Sequence, residues 1–286
     1  MSRKFSFFFF LLFPFLLFAD GEGKGDVQIW KSKTKEKVSW ESVLKEAESF
    51  DVILWGEEHD DSPGHRAQLE FFRRLTEVLP TSLSLEMLEK DQQTIVDEYI
   101  KGVISEKHLL TSTFHWKNFT EDYFPLVKHA KETYSPVVCA NPPRRYVNAL
   151  ARKGIVAYMD FSQEAHRFLP EAYTLGLHIS PDYLTRLRSL FQGHEKGQGP
   201  NPEHMILSQF MWDQGMAESI SREIYRSGRK VLHLNGRFHS DFEGGIAFRL
   251  KKMGHKVLVI SAFPEGKEEE SNFEKIADFV ILTKRR

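Results

Sequence analysis

Apolar residues fall into short continuous runs, and from residue 51 onward these runs alternate with stretches of helical periodicity. The runs at 52–55 (Val-Ile-Leu-Trp), 82–85, 137–140, 231–234, 257–260 and 279–282 predict β-strands. Between them, Ser62 as cap and Pro63 at the first position open a helix through Leu69, Phe72 and Leu75. Asp91 is placed to cap another, carrying Ile95, Val96, Tyr99 and Ile100. Further helical stretches cover 123–134, 203–225 and 246–252. Ahead of this rhythm, residues 26–40 alternate around a lysine-rich centre and predict an edge hairpin, after which Ser39 caps a short helix. Strands alternating with helices predict an α/β fold, a mostly parallel sheet flanked by helices on both faces. In such sheets ligands sit beyond the carboxyl ends of the strands.

Two segments break the pattern. Residues 1–19 combine Arg3 and Lys4 with a short apolar run and Ala19, which reads as a signal peptide and predicts an exported, periplasmic or membrane-associated protein. The run is shorter than the roughly 20 residues of a comfortable span. No cysteine follows it to carry a lipid, which makes membrane tethering doubtful. Residues 154–201 hold helical patches at 163–168 and 182–191 but no convincing strand, and end in the Gly-rich stretch 193–200. They read as a small inserted helical cap, leaving 20–153 and 202–286 as the sheet domain.

The 286-residue chain has a net charge of −1, which gives no general pull toward nucleic acid. Its one cysteine, Cys139, lies in a strand-like run, reads as a buried thiol and excludes an internal disulfide. Twelve histidines, several beside carboxylates, hint at a metal or cofactor site. Two of them stand in matching places. Gly56-Glu57-Glu58-His59 follows one predicted strand, and Gly236-Arg237-Phe238-His239 follows another. Glycine at each turn lets the backbone swing, so that the histidine three residues on points back over the strand ends. Glu86 follows a third strand; buried in its apolar run it needs a partner, which Arg237 or a histidine could supply. Two imidazoles and a carboxylate in one cleft suit a divalent metal or acid/base chemistry.

Other residues leave two readings open. Asp213, on the apolar face of a helix, either orients a site histidine or bonds a backbone group. His65 reads equally as a site or a surface residue, and Asp60 and Asp61 as support for the helix start. His233 reads as core, as does the aromatic cluster of His115, Trp116, Phe119 and Tyr123.

Taken in order, Gly-Glu-Glu-His-Asp at 56–60, His65, Gln68, Leu-Glu-Met at 85–87, Gln92 or Gln93, Trp116, Tyr123-x-Pro125-Leu126, Asn141-Pro142, Trp212-Asp213-x-x-Met216-Ala217 and Gly-Arg-Phe-His at 236–239 resemble the ChaN-like haem-binding uptake proteins, part of the Tiki and erythromycin-esterase-like superfamily. The ChaN branch implies an exported protein of iron or haem uptake, with tyrosine on the haem iron and a homodimer at the haem site. Tyr158, Tyr173 and Tyr183 are the tyrosines of the predicted cap. Tyr173 and His178, in an apolar context with Leu175 and Leu177, are the cofactor-binding expectation, with His59 and His239 lining or supporting the pocket. The Tiki and esterase branches imply instead a hydrolase dependent on a divalent metal (Mn, Co or Zn). In that reading His59, Glu86 and His239 are ligands, and Glu57 or Glu58 is a base.

Overall fold

A computed structural model describes residues 27–191 and 201–284. The expected signal peptide and the Gly-rich connection at 193–200 lie outside the described residues. The chain builds one eight-stranded sheet. Its strands are β1 (Val27–Lys31), β2 (Glu36–Lys37), β3 (Val52–Glu57), β4 (Thr81–Glu89), β5 (Val137–Asn141), β6 (Lys230–Gly236), β7 (Val257–Pro264) and β8 (Phe279–Thr283). The order is β2-β1-β8-β7-β3-β6-β4-β5. Strands β8 through β5 run parallel, and only the edge hairpin β1–β2 is antiparallel to its neighbours.

The longer helices are α1 (Trp40–Ala47), α2 (Ser62–Val78), α3 (Gln93–Ile100), α4 (Glu106–Ser112), α5 (Phe124–Glu132), α6 (Arg144–Lys153), α7 (Gln163–His166), α8 (Pro181–Phe191), α9 (Pro202–Ser227), α10 (Gly245–Lys252) and α11 (Phe273–Ile276). Both sheet faces are apolar because strand side chains alternate and each face has its own helices. Ile53 and Trp55 pack with Phe71, Phe72 and Val127 from α2 and α5. Val52 and Leu54 point the other way, against Met216, Ile220, Ile246 and Leu250 from α9 and α10. Trp55 is fully buried, and burying one such large side chain stabilises the fold by about 1.5–3 kcal/mol.

Several local expectations shift. Helix α2 begins one residue early, with Asp61 as its cap. Asp91 caps nothing: Glu89 and Gln92 form a capping box around the 3-10 turn that precedes α3. The strand expected at 82–85 runs on through Glu86 to Glu89. Among the described residues, 154–191 contain α7, α8 and two 3-10 segments and no strand. Their buried side chains, including Tyr158, Leu175, Tyr183 and Leu187, cluster with Val147 and Leu150 of α6 and Ile206, Phe210 and Met211 of α9. No helix among the described residues is long and apolar enough to cross a membrane.

The topology decides where chemistry can gather. Strand β6 returns from the far end of the chain to insert between β3 and β4, with Glu57 opposite Gly236. The carboxyl ends carrying Glu57, Gly236 and Glu86 are thereby side by side.

Candidate functional site

The two Gly-x-x-His turns interlock, and their glycines matter for room rather than for φ. Neither Gly56 nor Gly236 has a positive φ. A Cβ on Gly56 would lie 2.9 Å from Arg237 Cα and 2.7 Å from Ser240 Oγ, both in the other turn. A Cβ on Gly236 would lie 2.8 Å from His59 Nε2. Each glycine therefore makes space for the opposite motif, which replaces the expected role in swinging the backbone.

Two carboxylate–imidazole pairs result. His59 Nδ1 lies 2.8 Å from Glu57 Oε1, with the histidine side chain 45% exposed and the glutamate buried. His239 Nδ1 lies 2.6 Å from Asp213 Oδ1, and both are buried. Asp213, delivered by α9, also accepts a hydrogen bond from the Tyr183 hydroxyl of α8 at 2.8 Å. Of its two readings, the one that orients a site histidine holds. Glu86 stands beside both pairs. Its Oε2 accepts from the Gly236 backbone N–H at 2.7 Å, and its Oε1 lies 3.9 Å from His239 Nε2. The partner it needs is thus chiefly a backbone N–H. Arg237 turns away to Asp241, Glu58 and Glu268.

Glu57 is a hub that sequence reasoning underrated. It accepts hydrogen bonds from the Tyr123 hydroxyl and the Gln68 amide. His65 is buried rather than at the surface: its Nδ1 lies 3.3 Å from Gln68 Oε1 and its Nε2 3.2 Å from the His59 carbonyl. Tyr123 leaves a π-helical turn over Phe119–Tyr123, and Trp116 packs its edge against the His59 ring at 4.6 Å between centroids. Tyr123 and Trp116 pack in the core, as expected, and also touch Glu57 and His59 of this candidate site. The available signal was Gln68, one helical turn beyond His65 on the buried face of α2. His233 is core, bonded to Ser84.

Electrostatics follow from this pairing. Burial disfavours a charged Glu57, but hydrogen bonds from His59 and His65 outweigh it and hold the carboxyl at about 2. Burial likewise opposes the imidazolium of His239, yet Glu86 and Asp213 lift it to about 9. For His65 burial is again outweighed, by Glu57 and Asp122, and it too rises to about 9. Against its burial, His59 is also raised by Glu57 and Glu86. At neutral pH the cleft thus holds ionised Glu57 together with protonated His65 and His239. A carboxylate held at about 2 is a weak base, and Glu57 is better described as the acceptor that orients His59 and Tyr123. The half-exposed His59 ring is drawn toward its protonated, donating form by Glu57 and Glu86.

His59, Glu86 and His239 do come together, each with one polar atom engaged by a protein partner. Among the described residues, no group of three or more histidine, cysteine, aspartate or glutamate side chains is disposed to hold a metal ion. The placement gives the Mn, Co or Zn alternative no support. Tyr173 and His178 are not brought to this cleft. Both are exposed, on the segment before α8, and His178 adopts a positive φ of 54°. Tyr158 and Tyr183 are buried, and their hydroxyls are taken by the Pro170 carbonyl and Asp213.

Comparison with solved structures finds the same fold in one described as "Cofacial heme binding to ChaN of Campylobacter jejuni". The TM-score is 0.67 at 20% identity, covering 91% of this chain and 97% of that one. A mutant of the erythromycin esterase EreC in its open conformation matches at a TM-score of 0.47 and 12% identity, over 86% of this chain and 78% of that one. No curated protein matches. Residues 43–250 match the family described as "Haem-binding uptake, Tiki superfamily, ChaN", which takes in both interlocked turns, Glu86 and Asp213. With most of its length matched, the chain belongs to the ChaN family of haem-binding uptake proteins in the Tiki superfamily.

Proposed function

We propose that this protein binds haem in iron or haem uptake and acts as an exported protein. Haem is held on the helical segment before and within α8, and Tyr173 ligates its iron. One observation beyond the family carries this reading. Six of the twelve exposed large apolar side chains of the described residues fall within 155–190: Ile155, Val156, Met159, Tyr173, Leu177 and Leu190. Exposed apolar side chains gathered in one stretch of the chain suit a porphyrin face or a second copy of the chain better than water. Of the three tyrosines in this segment, Tyr173 alone is exposed, at 76%. A tyrosinate is a hard anionic oxygen suited to ferric iron. His59 and His239 support the architecture from the strand ends.

The test is a haem titration of purified protein followed by absorbance. Stoichiometric binding with a Soret band is expected, with the maximum displaced in Tyr173→Phe and retained in His59→Ala. Failure to bind haem tightly and stoichiometrically would sink the proposal. A Tyr173→Phe spectrum identical to wild type would remove Tyr173 as ligand. Haem-dependent dimerisation, read by light scattering, is expected if two copies meet on this face.

A further inference from the structure

Away from the strand-end cleft, a cavity of about 590 Å³ opens at the free edge of the sheet, between β5, α3 and the second half of α9. That volume is typical of a small-molecule site. The edge strand does not offer its backbone there as a template, because Gln93 occupies it. Its amide donates to the Val137 carbonyl and accepts from the Cys139 N–H, at 2.7 and 2.8 Å. What remains is an apolar wall, with Ile100, Pro136, Val138 and Phe168, facing a group of cations.

The charge balance is uneven. Lys90, Lys101, Arg167, Arg222 and Arg226 line the cavity against Asp97 and Glu223. Arg226 is spent on Glu223 at 2.6 Å, and Asp97 accepts from Gln93 at 2.8 Å. Lys90, Lys101, Arg167 and Arg222 have no side-chain hydrogen bond or ion pair with a described residue. Lys90 is the most confined of them. Its ammonium lies against α9, where a Cβ on Gly215 would come within 3.6 Å of Nζ. Unpaired cations beside an apolar wall are the complement of a molecule with an anionic head and an apolar body.

We propose that this cavity is a binding site for a small amphipathic anion, a carboxylate or phosphate ester with an apolar body. Lys90 and Arg222 hold the anionic head, and Phe168 with the β5 wall receives the body. The site shares no lining residue with the exposed apolar side chains on which the proposed haem surface rests, and its argument does not depend on them. Burial draws the Lys90 ammonium down to about 8, Glu218 opposing and Arg222 reinforcing that shift. A bound anion favours the charged lysine, so affinity falls as pH rises through about 8. The other charged groups facing the cavity are Arg167, Arg222, Arg226, Glu223, Asp97 and Lys101.

Titration calorimetry at low ionic strength tests this with phenyl phosphate, inorganic phosphate and the neutral benzyl alcohol. Saturable one-to-one binding of phenyl phosphate is expected, tighter than that of inorganic phosphate, with none of benzyl alcohol. Lys90→Met and, at an exposed position that does not endanger folding, Arg222→Gln are each expected to weaken it about tenfold. Added salt weakens it further. Absence of phenyl phosphate binding, unchanged affinity in both variants, or equal binding of benzyl alcohol would each overturn the proposal. So would displacement of phenyl phosphate by one equivalent of haem, since the two sites are then one. Haem binding that fails while phenyl phosphate binds refutes only the haem reading.

Discussion

Replacing Asp213 by asparagine isolates one half of the strand-end network. The aspartate is fully buried, accepts from His239 and Tyr183, and shares with Glu86 the task of keeping His239 protonated. Burial alone would lower the imidazole, and the two carboxylates raise it instead from 6.5 to about 9. Each pKa unit is worth about 1.4 kcal/mol, so the elevation corresponds to roughly 3 kcal/mol of stability. Because the folded value lies above the unfolded one, that contribution is fully present below about 6.5 and is lost as pH rises through about 9. Asparagine keeps the shape and an acceptor oxygen but not the charge. Asp213→Asn should therefore cost about 1–2 kcal/mol near pH 6, one carboxylate of the two remaining. The penalty should shrink toward zero by about pH 10, where His239 is neutral in both proteins. Denaturant unfolding of wild type and variant across this range measures the gap. The His239 imidazole resonance, identified by its loss in His239→Gln, reports the titration directly. A gap independent of pH, or a wild-type His239 titrating near 6.5, would refute the reasoning.

The interlocked glycines make a ranked expectation. Gly56→Ala meets the Arg237 backbone and should cost about 2–3 kcal/mol, whereas Gly236→Ala meets a half-exposed ring that can move and should cost about 1 or less; equal costs by denaturant unfolding would count against the packing described. Glu57→Gln weakens the acceptor shared by His59, Gln68 and Tyr123 and should cost about 3–5 kcal/mol at pH 7. Since Glu57 is held at about 2 against an ordinary 4.5, its contribution is present above about 4.5 and is lost as pH falls through about 2, and acid unfolding curves should converge there. Arg249, buried, donates to the carbonyls of Leu175 and Leu177 and to Gln214, and so ties the segment before α8 to α10 and α9. Arg249→Met should leave the sheet folded but open residues 170–180 to limited proteolysis; cleavage no faster than in wild type would show that other contacts hold the segment.

The sheet was legible because each parallel strand is apolar on both faces, and that makes short continuous runs such as 52–55 and 257–260 stand out. Strand order was not legible, since no local pattern says that β6 returns between β3 and β4. The site depends on that order. Gly56 meets Arg237 and Gly236 meets His59 only because their strands are neighbours, so a pair of weak motifs in sequence becomes one interlocked feature in space. Asp213 shows the same limit: helical spacing placed it on an apolar face, but only the return of β6 supplies the imidazole it bonds. Tyr123 and His65 were read through their neighbours in sequence, an aromatic cluster and a helix start, while their partner Glu57 lies on β3. The same reasoning bears on Tyr173. Its apolar context suggested a face for a porphyrin, and the ring is exposed. A surface tyrosine ligates haem in a dry setting only if something else covers the other porphyrin face. The exposed residues between 155 and 190 therefore make haem binding and self-association one expectation, and haem binding by a protein that stays monomeric would separate them.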